Sequence, residues 1–333
     1  MRTDLLSYSK FIMHGIGYLA GQLELTSACN QHCVFCKSWK DHESGECEAE
    51  MRFEVVKGIL EQLNATPYFE NLTLTGGEPQ SWEPLEILLE IMADKLKFGL
   101  SINTNLTRDI KIENWRKFRS VRISLDSIYS KTYRCLRGVN LDPEKILNRL
   151  EELQHPNWSI LNCVSNKNLK EITNMLNRLT KMKSLPRKVM FLPVLGERIV
   201  PMLDMIQYKK ITKELSQIEY PFEVDFMGSV PRFKKEMNIE SVPCYISRVS
   251  FHIKANGRVF PCCLVGGEAI NTQKSMSLGD IYQDSLDTIR KRHTELHLHY
   301  ASKATPCLKI CQWKQINMNV QAHQCQKTKL SMP

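Results

Sequence analysis

The run QLELTSACNQHCVFC, residues 22–36, places a strand-like alternation, Gln22–Thr26, directly before Cys29, Cys33 and Cys36 in C-x3-C-x2-C spacing. Three thiolates can ligate only three irons of a four-iron cube. A cluster with one unligated iron keeps a coordination position for a small molecule, whereas a fully thiolate-ligated cluster mainly moves electrons. The spacing therefore points to an open iron site at the end of a strand. Zinc is the competing reading, because His32 lies inside the loop, but zinc knuckles favour C-x2-C pairs with a fourth His or Cys close by.

Outward from this loop, apolar strand-like runs alternate with helical patterns. Asn71–Thr75 and Gly99–Asn103 read as strands, and Phe53–Leu63 and Pro84–Leu96 as helices. Val121–Leu125, Trp158–Val164 and Val189–Val194 continue the strands, and Leu169–Met182 and Pro143–Leu153 the helices, the latter opened by Asp142 as N-cap and Pro143 at the first helical position. Six β-α units in succession imply an α/β fold, a partial (β/α)6 TIM-like barrel with right-handed crossovers and its chemistry at the strand C-termini. Beyond a helical pattern at Leu203–Ile218 the chain turns Pro-, Gly- and β-rich, with a boundary expected near 220–240. The expected organisation is an extension over 1–20, the barrel over 21–220 and a second domain over 221–333.

The 333 residues are 42% apolar, enough for a large core. Twelve cysteines fall into spaced groups, unlike a small secreted disulfide framework, so a reducing cytoplasm fits. Phe11–Ala20 is apolar but contains His14 and lacks a cleavage site, and no stretch is long and apolar enough for a membrane span. The net charge of +9 is spread along the chain, with only short concentrations at Lys209-Lys210 and Arg290–Arg292, which argues against a nucleic-acid groove.

Phe35 before the last cysteine, together with Gly76, Gly77, Glu78 and Pro79 after the second strand, closely resembles the radical S-adenosylmethionine enzymes. The resemblance implies that Cys29, Cys33 and Cys36 hold a four-iron cluster whose fourth iron is chelated by S-adenosylmethionine. Cleavage of that molecule yields a 5'-deoxyadenosyl radical that removes a substrate hydrogen. Gly76 and Gly77 would let the backbone approach the methionine moiety, with carbonyls of the Gly-Gly-Glu-Pro loop accepting from its ammonium. Looser matches are Thr104 and Asn105 near the ribose, and Ser124 and Asp126 for ribose or methionine groups. Arg137 matches the arginine that binds the methionine carboxylate, and Leu192 and Pro193 fall near the adenine.

A second resemblance lies downstream. Cys244, twelve residues, Gly257, four residues and Cys262 match the C-x(9–15)-G-x4-C signature of the auxiliary-cluster domains called SPASM and twitch. Asn256-Gly257 reads as a two-residue hairpin turn that returns Cys262 towards Cys244. Beyond the adjacent Cys263 only Cys307, Cys311 and Cys325 follow, fewer than a full SPASM array, so the domain resembles the one-cluster twitch with Cys244, Cys262, Cys307 and Cys311 as ligands of a second [4Fe-4S] cluster. Cys263 and Cys325 are then spare, as replacement ligands, buried thiols or hydrogen donors to a substrate radical. Cys163, on a strand, reads as core, and Glu223 and Asp225 as surface or turn acids, with substrate-site acids as the alternative.

Auxiliary-cluster relatives often modify ribosomally made peptides, so a peptide or protein substrate, cross-linked, dehydrogenated or epimerised, is the leading expectation. An electron donor such as flavodoxin or ferredoxin would serve the cluster. An aminosugar or aminocyclitol dehydrogenase or epimerase is the alternative, and the twenty or so residues before the first strand, too few for a peptide-recognition domain, weigh on its side. The ending Leu330–Pro333 lacks the diglycine tail of molybdenum-cofactor synthesis. A non-catalytic metal-binding or nucleic-acid-binding module is the reading from another class.

Overall fold

The computed structural model describes residues 20–36, 49–67, 69–108, 111–153, 155–194, 203–226, 250–263 and 277–300. They form two compact units, one from the described residues of Met1–Leu23, Met51–Leu72 and Arg232–Pro333, the other from those of Glu24–Glu50 and Thr73–Pro231.

In the larger unit strands follow helices in the expected rhythm. The strands are β1 (Ala20–Thr26) and β2 (Asn71–Gly76), whose C-terminal halves belong here, then β3 (Gly99–Thr104), β4 (Ser120–Ser124), β5 (Trp158–Val164), β6 (Lys188–Pro193) and β7 (Glu223–Phe226). They lie side by side in chain order, and each pair from β3 to β7 is parallel. Register is set by matches such as Val121 with Trp158 and Val164 with Pro193. The parallel order is that of a partial TIM-like barrel, extended by β7 beyond the six strands expected.

Among the described helices, α1 (Phe53–Ala65) lies within the smaller unit and the next six in the larger. The latter are α2 (Leu85–Met92), α3 (Ile112–Trp115), α4 (Ser130–Arg137), α5 (Pro143–Leu153), α6 (Ile172–Leu179) and α7 (Met205–Leu215). Their apolar residues recur at helical spacing, as Ile146, Leu147, Leu150 and Leu153 on α5 and Ile172, Met175, Leu176 and Leu179 on α6, and these faces are buried. Each fully buried leucine contributes about 1.5–3 kcal/mol. Along the strands the fully buried positions alternate with half-buried ones, so Arg122 and Ser124 on β4 share a face with Leu161 and Cys163 on β5 and Met190 and Leu192 on β6. This second, polar-edged face carries Arg122 Nη1 donating to Asn103 Oδ1 at 3.3 Å.

Helix α4 is absent from the sequence reading. Its second half, Arg134–Arg137, is dominated by charge and cysteine, and its apolar contacts, Tyr133 and Leu136, are too few to show a period. Its end is nonetheless written locally: Arg134 and Arg137 occupy the last turn, and Gly138 caps it at φ 67°, donating to Arg134 O at 3.0 Å.

In the smaller unit β8 (Ser250–Ile253) pairs parallel with the start of β1, Ala20 opposite Ser250 and Leu23 opposite Ile253. β9 (Arg258–Phe260) runs antiparallel to β8, and β10 (Gly279–Asp280) antiparallel to β9. The hairpin is present, but its turn is not the two-residue one expected. Gly257 N donates to Lys254 O and Lys254 N to Arg258 O, each at 2.9 Å, so three residues, 255–257, form the loop. The type I′ turn that Asn-Gly favours needs positive φ at both centres, and Gly257 has it (88°) where Asn256 does not. Helix α8 (Leu286–Tyr300) begins with Leu286 N donating to Gln62 Oε1 of α1 at 3.2 Å.

Gly138→Ala should lower the unfolding free energy by about 1 kcal/mol or more, read as a lower urea midpoint, since φ is positive and a Cβ would lie 2.6 Å from His32 O. An unchanged midpoint would show that α4 and the cysteine loop are not locked together there.

Candidate functional site

The Cys29–Cys36 segment follows β1 without regular secondary structure, so its backbone groups need partners from elsewhere. They come from two sides. From the loop after β2, Gly77 N donates to Thr26 O and Glu78 N to Ala28 O, both at 2.8 Å; from the C-terminus of α4, Arg137 O accepts from His32 N at 3.0 Å and Leu136 O from Val34 N at 2.9 Å. Neither approach tolerates a side chain. A Cβ on Gly76 would lie 2.3 Å from Thr26 O, and one on Gly77 2.2 Å from Ala28 O. The two glycines thus answer first to packing against the cysteine loop, a reason the sequence alone does not show.

The residues between the cysteines are also engaged. Asn30 Nδ2 donates to Thr107 Oγ1 and Asn30 Oδ1 accepts from Asn105 Nδ2, each at 2.8 Å, and Gln31 Nε2 donates to Tyr133 OH on α4 at 3.0 Å. Asn30, Gln31 and Tyr133 were not singled out in the sequence, where unmarked polar residues inside a motif carry no signal of their partners.

Glu78, 1% exposed, ties the Gly-Gly-Glu-Pro loop to the end of β3. Its Oε1 accepts from Gln80 N at 3.1 Å and Thr104 Oγ1 at 2.6 Å, and its Oε2 from Asn105 N at 2.7 Å. Burial pushes this carboxyl above its ordinary range, against the three donors that favour the ionised form. Pro79, buried, starts the 3-10 turn Pro79–Ser81 that follows. Next to Asn105 stands Leu106, 2% exposed and at φ 55°, its N donating to Thr104 Oγ1 at 3.0 Å and its O accepting from Arg149 Nη1 of α5 at 3.0 Å.

At the end of β4, Asp126 and Arg137 meet. Arg137 Nε stands 2.5 Å from Asp126 Oδ2, an ion pair rather than a straight hydrogen bond, with the side chains 7% and 0% exposed. Asp126 Oδ1 accepts from Cys163 N at 2.7 Å, and Asp126 O from Asn168 Nδ2 at 2.7 Å. Burial opposes the Arg137 charge, but Asp126 beside it, together with Cys33, Tyr133 and Cys163, offsets this and holds the guanidinium well above its ordinary value. Arg137 Nη1 in turn donates to Cys33 Sγ at 3.5 Å, and its guanidinium carbon lies 5.7 Å from the centre of the Phe35 ring.

The thiols suit an iron–sulfur cluster. Burial pushes Cys29 up to about 12 and Cys33 up to about 11, with Arg137 pulling the latter back, so bound irons would have to displace their protons. Among the described residues no three His, Cys, Asp or Glu side chains converge on a point that could hold one metal ion. A cubane does not ask for convergence, because each thiolate takes a different iron. A soft, three-sulfur set on one loop, with a guanidinium against one sulfur, is the donor chemistry such a cluster uses.

Ser124 closes β4 on the same face as Cys163 and Leu192, and Pro193 is buried at the end of β6 opposite Val164. Cys163, expected in the core, takes a half-buried position of β5, and Cys135 is exposed on α4. Glu223 and Asp225 pair with Lys188 at 3.1 and 2.8 Å near the strand beginnings, away from the cysteine loop. Cys262 and Cys263, both half-buried, follow β9; Cys47, Cys244, Cys307, Cys311 and Cys325 lie outside the described residues. No described helix is long and apolar enough to cross a membrane.

Comparison with known proteins supplies the identity of this arrangement. The sequence profile of the radical SAM superfamily matches residues 23–179, and that of SPASM, an iron-sulfur cluster-binding domain, matches residues 244–322. Among solved structures, Streptococcus suis SuiB aligns with a TM-score of 0.67 at 18% identity, covering 92% of this chain and 76% of that one. SuiB bound to S-adenosylmethionine gives 0.65, 18%, 91% and 75%, and SuiB bound to the precursor peptide SuiA gives 0.67, 17%, 92% and 74%. No curated protein matches the sequence. With both profiles matched and the barrel, the cysteine loop and the Gly-Gly-Glu-Pro loop in place, the chain belongs to the radical S-adenosylmethionine enzymes, in the group that carries a SPASM domain, and uses S-adenosylmethionine, a [4Fe-4S] cluster and auxiliary iron–sulfur centres.

Proposed function

We propose that Cys29, Cys33 and Cys36 hold the S-adenosylmethionine-binding cluster, and that the enzyme modifies a ribosomally made peptide or protein. The observation that carries the first half is the clasp on the cysteine loop: Gly77 and Glu78 on one side and Leu136 and Arg137 on the other fix its backbone. When bound, the cluster and S-adenosylmethionine supply a 5'-deoxyadenosyl radical able to take a hydrogen atom from carbon. The chain's own share is to place and shield that chemistry. The Gly-Gly-Glu-Pro carbonyls and the β3 end, held together by Glu78, border the cysteine loop and offer acceptors to an ammonium and a ribose. Ser124, Leu192 and Pro193 close the same end of the sheet, and Phe35 covers Arg137.

The peptide reading draws support from the likeness of fold to SuiB, solved with its precursor peptide SuiA, over 92% of this chain. Under this reading Cys244, Cys262, Cys307 and Cys311 ligate one auxiliary cluster, as in a twitch, which takes up or relays the electron released by a net oxidation. A flavodoxin or ferredoxin would deliver the electron in the cytoplasm.

Replacing Cys29, Cys33 and Cys36 together by Ala should abolish 5'-deoxyadenosine formation by the reduced, reconstituted enzyme, and persistent formation would sink the assignment. Glu78→Gln turns one carboxylate oxygen into a donor facing Asn105 N–H or the Gln80 and Thr104 donors, at a cost of about 1–3 kcal/mol. Calorimetry should record weaker S-adenosylmethionine binding; equal affinity would remove Glu78 from the argument. For the substrate, mass spectrometry of candidate peptides incubated with enzyme should show loss of two hydrogens, or unchanged mass with deuterium uptake. Modification of aminocyclitols with peptides left untouched would overturn the peptide reading.

A further inference from the structure

Asp126 sits 1% exposed at the end of β4, where the sequence resemblance suggested a group for ribose or methionine. Its carboxylate is already committed. Oδ1 is held by Cys163 N of β5, Oδ2 by Arg137 Nε of α4, and its carbonyl by Asn168, which also donates to Cys163 O at 2.9 Å and accepts from Ser165 N at 2.8 Å. Arg137 passes this anchoring on, with one guanidinium nitrogen against Cys33 Sγ and the ring of Phe35 alongside. The line Asn168, Asp126, Arg137, Cys33 therefore runs from the buried end of β5 to the sulfur of Cys33.

We propose that Asp126 is a positioning residue that, acting through Arg137, sets the reduction potential of the cluster bound by Cys33. The inference rests on the assignment of Cys29, Cys33 and Cys36 as ligands. A [4Fe-4S] cluster with three thiolates carries one net negative charge before its one-electron reduction and two after it, so nearby charge and hydrogen bonds to sulfur act on the two states unequally. A guanidinium donating to a coordinating sulfur stabilises the more negative, reduced state. A carboxylate on that guanidinium does the reverse, while fixing where the guanidinium points. The pair thus holds the cluster between two opposing electrostatic effects, at a site buried enough that water screens neither.

Two charge-removing variants should then move the potential in opposite directions. Asp126→Asn keeps the shape and the acceptor for Cys163 N but removes the negative charge, and should shift the potential to less negative values. Arg137→Gln removes the positive charge and the donor to sulfur, and should shift it to more negative values; Arg137→Lys, which keeps the charge without the fork, should lie nearer the parent. The measurement is an anaerobic redox titration of the reconstituted full chain with dithionite and mediators, following by electron paramagnetic resonance the reduced-cluster signal that changes when S-adenosylmethionine is added. Iron content is measured in each sample. Opposite shifts at parental iron content support the proposal, and unchanged potentials or shifts of one sign at parental iron content overturn it. If Asp126→Asn fails to fold, Gln and Lys at 137 decide: Gln lower than Lys supports it, both equal to the parent overturns it. The Cys29, Cys33 and Cys36 triple Ala variant separates the two levels, because a surviving S-adenosylmethionine-responsive signal would remove the cluster assignment itself.

Discussion

An irregular loop bearing three thiols has to be given its shape by its neighbours, because its own backbone closes on itself little, as where Cys36 N donates to Cys33 O. The loop after β2 and the last turn of α4 supply that shape through four backbone hydrogen bonds, and much else in the larger unit follows from bringing them there. Two glycines clear the approach from β2, and Gly138 ends α4 at the point where its carbonyls are still open to accept. Helices ordinarily leave their final carbonyls to water or a cap; here two of them, on Leu136 and Arg137, are used as a docking edge.

The buried pair of Asp126 and Arg137 is weak support for stability taken alone, since desolvation can consume the attraction between two such charges. Its geometry gives it another meaning. The carboxylate is fixed by the backbone N–H of Cys163 and by the guanidinium, and the guanidinium by carboxylate, sulfur and ring, so the pair defines a direction as much as an energy. Glu78 does the same for the other flank with three uncharged donors.

Much of the architecture is legible in the chain because strands and helices here have unambiguous periods. Trp158–Val164 and Pro143–Leu153 are observed with the bounds their patterns suggest. What escapes is set by partners distant in sequence. Helix α4 lacks an apolar stripe because one side of its end serves the cysteine loop, and β7 is too short and half-exposed to stand out until β6 is beside it. The hairpin at 254–258 is readable as a hairpin, yet its turn type depends on which residue takes the positive φ, which Asn256-Gly257 leaves open. At the site, cysteines and glycines announce themselves by spacing. Asn30, Gln31, Tyr133 and Asn168 do not, because their importance lies in hydrogen bonds spanning up to 102 residues.

Leu106 shows how little of this region is self-sufficient. A leucine in the left-handed region gives up about 1–2 kcal/mol of backbone strain, and its burial returns about 1.5–3 kcal/mol. The two nearly cancel, so the turn after β3 has almost no preference of its own for the shape it takes. That shape is imposed by Thr104 on one side and by the Arg149 guanidinium reaching from α5 on the other. Sequence drift on α5, a helix with no chemistry of its own, is thereby heritable as a change in the contour of the reactive end of the sheet.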